Sequence, residues 1–169
     1  MIDGSSGFFV SGALMTDTAR RHDPELHRIL VRDLFEFFQE ERLEIHGVKG
    51  MPDYPAPPHI QNGGFNDSLP RQPEIVGLDT KAHRITFGIV REHAADLATE
   101  DALAEYNVFL DHNSHRGARA SVLYVMIPAN LLQEFTHIIT HYIHREYWNR
   151  IIPVPSRSIP VTGEHPKTI

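Results

Sequence analysis

The earliest periodic pattern in the chain is that of an amphipathic helix. Asp23-Pro24-Glu25 offers a residue that caps helices, a proline suited to the first helical position and an acid that favours the positive end of the helix dipole. The apolar residues that follow recur at spacings of three and four: Leu26, Ile29, Leu30, Leu34, Phe37 and Phe38. The pattern predicts a helix that packs on the core and ends near Glu41.

The next segments have the patterns of strands on either side of a long loop. Leu43–Val48 alternates apolar and polar residues, which is typical of a half-buried strand. Residues 49–73 are rich in proline and glycine and predict a loop. Pro73–Leu78 and Arg84–Arg91 are two further strand patterns, and the polar residues 79–83 between them predict the turn of a hairpin.

The second half of the chain alternates helical and strand patterns. Residues 99–112 have apolar positions at helical spacing, and Ala120–Ile127 is an apolar run typical of a buried central strand. Asn130 to about Tyr147 predicts another helix, and Ile151–Val154 predicts a short edge strand, where proline is tolerated. Antiparallel strands followed by βαβ crossovers predict an α/β fold with a mixed sheet flanked by helices.

Length and composition fit one folded domain. The 169 residues are 41% hydrophobic and 22% charged, as in globular proteins. We expect an N-terminal arm over residues 1–22, an α/β domain over residues 23–154 and a tail over residues 155–169. The tail is polar and rich in proline, so we expect it to be flexible.

Composition also excludes several classes of protein. The absence of cysteine excludes disulfides, thiolate catalysis and Cys-based metal sites, and it favours the cytoplasm. The apolar run at residues 7–15 is too short to span a bilayer, and no later stretch approaches ~20 apolar residues, so we expect no membrane segment. The formal net charge of −6 argues against electrostatic binding of nucleic acid by the whole surface, but it does not exclude a local basic groove.

The order of elements and two short motifs resemble the PD-(D/E)XK nuclease superfamily. Pro73-Glu74 opens one predicted strand, and Gly88-Ile89-Val90-Arg91 ends the next. These segments are similar to the family's proline–acid pair and to its motif of an acid, any residue and lysine. The resemblance covers residues 23–154. It implies a restriction-endonuclease-like core, a mixed central sheet flanked by helices, and a protein that acts on DNA or binds it.

The resemblance also implies a site. In the family, two carboxylates at neighbouring strand ends hold Mg²⁺ or Mn²⁺, which activates water, while the lysine offsets charge. The resemblance implies that Glu74 is the metal ligand and that Arg91, at the lysine position, contacts phosphate. Ile89 stands at the second acidic position, where its side chain cannot bind a metal. Glu36 on the first helix and Glu92 after Arg91 are the nearby acids that would substitute, although strand alternation works against Glu92.

Two hypotheses follow from these departures. Glu105 is a further departure, since it stands where the family's helix often supplies glutamine. The first hypothesis is a divergent nuclease that acts on or binds DNA, with weak or lost catalysis and with Mg²⁺ or Mn²⁺ as its cofactor if it is active. The second is a non-catalytic pseudo-nuclease that serves as a protein-binding or assembly module. The resemblance to the family also implies a possible homodimer.

Plainer interpretations stay open for each site residue. Glu74 fits an exposed carboxylate at a strand edge, Arg91 a surface cation and Glu36 a solvated position of an amphipathic helix. Glu92 fits an acid that points away from the site.

Three histidines form a further pattern in the last predicted helix. His137, His141 and His144 fall at i, i+4 and i+7, so they would share one face. The first two have the spacing of helical zinc ligands, although the chain lacks the glutamate of His-Glu-x-x-His. The first interpretation is a hydrated helix stripe, for which a dimer contact is one role, and a zinc site is the alternative.

Overall fold

The computed structural model describes residues 23–62 and 69–159. The predicted arm at residues 1–22 lies outside the described residues, as do residues 63–68 and the part of the predicted tail beyond Ile159. Within the described ranges, no helix has both the length and the hydrophobicity needed to cross a membrane.

The helices and strands follow the predicted order. They are α1 (Pro24–Glu40), β1 (Glu44–Val48), β2 (Ile75–Asp79), β3 (Arg84–Val90), α2 (Glu100–Asp111), β4 (Val122–Ile127), α3 (Leu132–Tyr142) and β5 (Ile151–Pro155). Short 3₁₀ helices at Ala94–Asp96, Ser114–Arg119, Ala129–Leu131 and Arg145–Tyr147 lie between some of them. The cap of α1 is the predicted one, because the Asp23 carboxylate accepts hydrogen bonds from the backbone N–H groups of Glu25 and Leu26 at 3.1 and 3.2 Å.

The strands form one mixed sheet of five strands in the order β1-β2-β3-β4-β5. The pairs β1–β2 and β2–β3 are antiparallel, whereas the pairs β3–β4 and β4–β5 are parallel. α2 and α3 are the crossovers that parallel pairing requires. The predicted α/β class with a mixed sheet is confirmed.

Helices cover both faces of the sheet. On one face, Leu30, Leu34 and Phe38 of α1 pack in a cluster with Ile75 and other strand residues. The opposite face carries a second cluster, formed with α2 and α3, whose largest buried members include Phe87, Tyr106, Phe109 and Phe135. The parallel strands are therefore buried on both sides, which explains their nearly continuous apolar sequences.

The last predicted helix is shorter than its periodicity indicates. α3 ends at Tyr142, because Ile143 is extended, with φ −100° and ψ 140°, and its side chain is buried. His144 then caps the 3₁₀ helix Arg145–Tyr147 by accepting a hydrogen bond from the N–H of Glu146. The prediction that three histidines share a helix face is therefore wrong for His144.

The chain stays packed beyond β5. The Ser156 hydroxyl donates to the buried carboxylate of Asp33 on α1 at 2.5 Å. Ser158 donates to the same carboxylate from its hydroxyl at 2.7 Å and from its backbone N–H at 3.1 Å. The predicted tail that starts at residue 155 thus begins with a segment docked on α1, since Pro155 belongs to β5 and the contacts extend to Ser158.

β5 is an edge strand among the described residues, as its prolines predict. The N–H of Leu123 donates to the carbonyl of Arg150 at 2.8 Å, and the N–H of Ser156 also donates to β4 at 2.8 Å. Residues of a parallel strand direct their backbone groups alternately toward and away from one neighbour, so Pro153 and Pro155 point away from β4. The open side of β5 therefore lacks N–H groups at both positions.

Candidate functional site

A cleft of about 380 Å³ opens where β2 begins and β3 ends. We call it the acidic cleft, because carboxylates dominate its polar lining. Its lining residues are His27, Glu74, Val90, Arg91, Glu92, Asp96, Thr99, Asp101, Ala102 and Glu105. The structure thus brings together three of the residues proposed from the sequence, Glu74, Arg91 and Glu92.

The sheet holds Glu74 at its place in the cleft. Its N–H donates to the carbonyl of Gly88 at 2.9 Å, and its own carbonyl accepts from the N–H of Lys49 at 2.8 Å. Glu74 is therefore fixed between β1 and β3, just before β2 starts.

Strand alternation decides which side chains share a face with Glu74. Ile75 and Val90 both pack in the cluster that contains α1. Because neighbouring residues of a strand point to opposite faces, Glu74 and Ile89 point to the face covered by α2. Arg91 follows on that same side, and the cleft opens there.

Ile89 contributes no polar group to the cleft. Its side chain is 3% exposed and packs in the apolar cluster between the sheet and helices α2 and α3. The residue at the position where the resemblance implies a second acid is therefore part of the hydrophobic core and offers no oxygen ligand.

Arg91 is tied to α2. Its Nη2 donates to the Glu105 carboxylate at 2.5 Å, its Nε donates to the Tyr106 hydroxyl at 3.2 Å, and its guanidinium lies 5.1 Å from the centre of the Tyr106 ring. Nη1 also donates to the carbonyl of Val90 at 3.2 Å. Burial lowers the pKa of Arg91, but the neighbouring Tyr106 and Glu105 more than offset this, so the pKa is raised and the guanidinium stays charged.

His27 of α1 lies between two further acids of the cleft, Glu74 and Glu92. Its Nδ1 lies 3.0 Å from Glu92, and its Nε2 lies 3.5 Å from Glu74. The Glu92 side chain is only 9% exposed and also accepts from the N–H of Asp23 at 3.2 Å. Glu92 faces the cleft, against the alternation that would turn it away, because β3 ends at Val90 and Arg91 is the last residue that still pairs with β4.

The sequence carries no signal that points to His27. It lies among the polar residues of an amphipathic helix, and its position beside Glu74 and Glu92 depends on how α1 packs across β3. Only the three-dimensional packing brings these groups together.

Glu36 is not in the acidic cleft. It is exposed and lines another groove, together with Asp33, Phe37 and Glu40 of the same helix. Glu36 follows His27 by nine residues, which is roughly 14 Å along the helix axis at about 1.5 Å per residue. The expectation that Glu36 stands beside Glu74 is therefore not met, because the first turns of α1 reach the cleft and the later turns do not.

No family model matches the chain. No curated protein and no solved structure matches it significantly either. Over residues 23–62 and 69–159 the chain is an α/β protein with a five-stranded mixed sheet.

The cleft does not fit the metal that the resemblance implies. Mg²⁺ and Mn²⁺ prefer several oxygen ligands in octahedral geometry. Here Glu74 and Glu92 share His27, Glu105 is paired with Arg91, and Ile89 supplies no oxygen. Within residues 23–62 and 69–159, no group of three or more His, Asp or Glu side chains is arranged to hold a metal ion.

Proposed function

We propose that this chain is a pseudo-nuclease that has lost phosphodiester cleavage and serves as a protein-binding or assembly module. The observation that carries the proposal is the ion pair between Arg91 and Glu105 inside the acidic cleft. It occupies the position where a nuclease of the PD-(D/E)XK superfamily would present a lysine to its substrate.

The arrangement of elements supports the finer fold of this proposal, a restriction-endonuclease-like core. One helix precedes three antiparallel strands, and a crossover helix leads to a parallel fourth strand. Glu74 and Arg91 lie at neighbouring strand ends, as the proline–acid pair and the lysine of the family do.

Linked changes at three positions support the loss of catalysis. Ile89 replaces an acid and packs in the core, Arg91 replaces lysine, and Glu105 stands where the family often has glutamine. Position 89 lacks the acid that the resemblance implies, whereas position 105 carries one. The carboxylate of Glu105 balances the positive charge of Arg91. Arg91 and Glu105 form a partly buried structural contact in place of a reactive group.

The charge of the cleft favours a protein partner over DNA. Glu74, Glu92, Asp96 and Asp101 line it, and its arginine is already paired with Glu105. A phosphate that approached this lining would be repelled by the carboxylates. The formal net charge of −6 acts in the same direction, and the absence of cysteine suits a cytoplasmic module.

A cleavage assay tests the loss of catalysis. Plasmid and single-stranded DNA are incubated with the chain and Mg²⁺ or Mn²⁺, beside a Glu74→Ala variant. We expect no cleavage by either protein. Cleavage by the wild type that disappears in Glu74→Ala would restore the first hypothesis, a divergent active nuclease.

Reversal of the linked changes tests the location of the site. The triple variant Ile89→Glu, Arg91→Lys, Glu105→Gln restores the residues that the resemblance implies. If it folds, as judged by circular dichroism, we expect weak metal-dependent cleavage that the wild type lacks. A folded triple variant without activity would argue against the assignment of this cleft to the nuclease family.

A charge reversal tests the binding role. Affinity capture from cells compares the wild type with Glu74→Lys and with Glu36→Lys, which makes the same charge change in the other groove. We expect a protein that is retained by the wild type and by Glu36→Lys and lost with Glu74→Lys. Equal recovery with all three chains would contradict a role for the acidic cleft in binding.

A further inference from the structure

We propose that His137 and His141 form a binding site for one divalent transition-metal ion of the Zn²⁺, Ni²⁺ or Cu²⁺ class on the exposed face of α3. The site is separate from the acidic cleft and does not depend on the proposed function.

The two imidazoles already lie together. They are four residues apart on one helix, both are exposed, and their ring centroids are 3.9 Å apart with an angle of 35° between the rings. Residues at i and i+4 project from the same face of a helix, and paired helical zinc ligands use this spacing. Because His141 is held by a hydrogen bond to the backbone, rotation of the exposed His137 side chain is the change needed to direct two ring nitrogens at one ion.

The tautomer of His141 suits a metal ligand. Its Nδ1 lies 3.0 Å from the backbone carbonyl of His137. A carbonyl oxygen only accepts hydrogen bonds, so in the neutral ring Nδ1 carries the hydrogen and Nε2 has the lone pair. Metal-bound histidines commonly have this arrangement, in which one ring nitrogen donates to a carbonyl and the other binds the ion.

The neighbouring polar groups do not compete with the imidazoles. The hydroxyl of Thr136 donates to the carbonyl of Leu132 at 2.8 Å, and the hydroxyl of Thr140 donates to that of His137 at 3.0 Å. His144 lies past the end of α3 and accepts from the N–H of Glu146 instead. The protein therefore supplies two ligands, and water completes the coordination of the ion.

The donor type sets the selectivity. Imidazole nitrogens bind Zn²⁺, Ni²⁺ and Cu²⁺, with Cu²⁺ the strongest of the divalent series, whereas Mg²⁺ prefers oxygen. Binding of Zn²⁺ without binding of Mg²⁺ would thus indicate imidazole ligands, and substitution of His137 or His141 separates this site from His27 of the acidic cleft.

Isothermal titration of the untagged full chain with ZnCl₂, NiCl₂ and MgCl₂ tests the proposal. We expect saturable binding of Zn²⁺ and Ni²⁺ near one ion per chain and no binding of Mg²⁺. His137→Ala and His141→Ala should each lose this binding. His144→Ala and His115→Ala, which also remove an exposed histidine, should retain it.

A spectroscopic measurement covers the case in which a substitution alters folding. In the electron paramagnetic resonance spectrum of the Cu²⁺-loaded wild type, we expect coupling to two imidazole nitrogens, reduced to one in either variant. The proposal would be overturned if the wild type bound no Zn²⁺, if both alanine variants bound it as tightly as the wild type, or if His144→Ala abolished binding equally.

Discussion

Arg91 is a largely buried cation whose charge is balanced inside the protein by Glu105. The two side chains are 15% and 19% exposed, and they join β3 to α2 across the acidic cleft. Loss of one partner leaves the other without its counter-charge in a poorly hydrated place, which costs more than the pair itself contributes. The pair therefore makes the stability of the fold depend on Arg91 and Glu105 together.

We expect Glu105→Ala to lower the free energy of unfolding by about 1–3 kcal/mol, because it leaves the guanidinium of Arg91 only partly satisfied. Urea denaturation measures the loss. The double variant Glu105→Ala, Arg91→Met should recover part of it, since no unpaired charge remains. Glu134→Ala, on the exposed face of α3, is the control and should change stability by less than about 0.5 kcal/mol.

Asp33 is a second residue whose charge is stabilised by its surroundings. Burial raises its pKa, but the hydrogen bonds from Ser156 and Ser158 outweigh this, so the pKa lies below the ordinary value of 3.8. A carboxylate with a depressed pKa in the folded state stabilises the protein above its unfolded pKa, and this stabilisation is lost as the pH falls through the folded value.

We expect the wild type to lose stability below about pH 4 more steeply than Asp33→Asn does, because asparagine cannot be protonated in this range. Urea denaturation at a series of acidic pH values measures the difference. Asp53→Asn removes an exposed carboxylate of the loop and serves as the control. Identical pH dependence of the wild type and Asp33→Asn would contradict the assignment.

At the scale of elements, the contact between α1 and β3 needs a residue without a side chain. A Cβ atom at Gly88 would lie 2.9 Å from Leu34 Cδ2 and 3.0 Å from a ring carbon of Phe38. This close approach lets α1 lie against the centre of the sheet, and it brings the first turn of the helix to the acidic cleft.

Gly88→Ala should lower stability by about 1–3 kcal/mol, since the added methyl group overpacks a filled interface. Differential scanning calorimetry measures the shift. Leu34→Ala removes the side chain that the methyl group meets, so the double variant should be more stable than the sum of the two single effects predicts. Additive effects would show that α1 does not pack on Gly88 as described.

Local patterns predicted most of the elements, whereas the site needed the fold. The Asp23 cap, the turn at Asp79 and the apolar run of β4 depend on nearby residues, so the sequence was enough to predict them. The early end of α3 depends on the burial of Ile143, and helical periodicity alone continues past it. His27 reaches Glu92 across 65 positions of the chain, and no local pattern contains that contact.

For the whole molecule, the sheet has a protected edge. Two prolines of β5 direct no N–H groups outward, which is a known way to prevent unwanted strand pairing. We expect Pro153→Val with Pro155→Val to promote self-association, because it restores two donors to the open side of β5. Size-exclusion chromatography with light scattering would show larger species than the wild type forms. Pro58→Val, an exposed loop proline, is the control.

The same two prolines constrain how any complex with this chain is built. A peptide strand that lies alongside β5 would meet too few backbone N–H groups of β5 to form a regular β-ladder. At this edge of the sheet, complexes must then be held by side chains on β5 and on the neighbouring helices and loops. Their specificity would rest on the identity of individual surface residues, so single substitutions there should distinguish one binder from another.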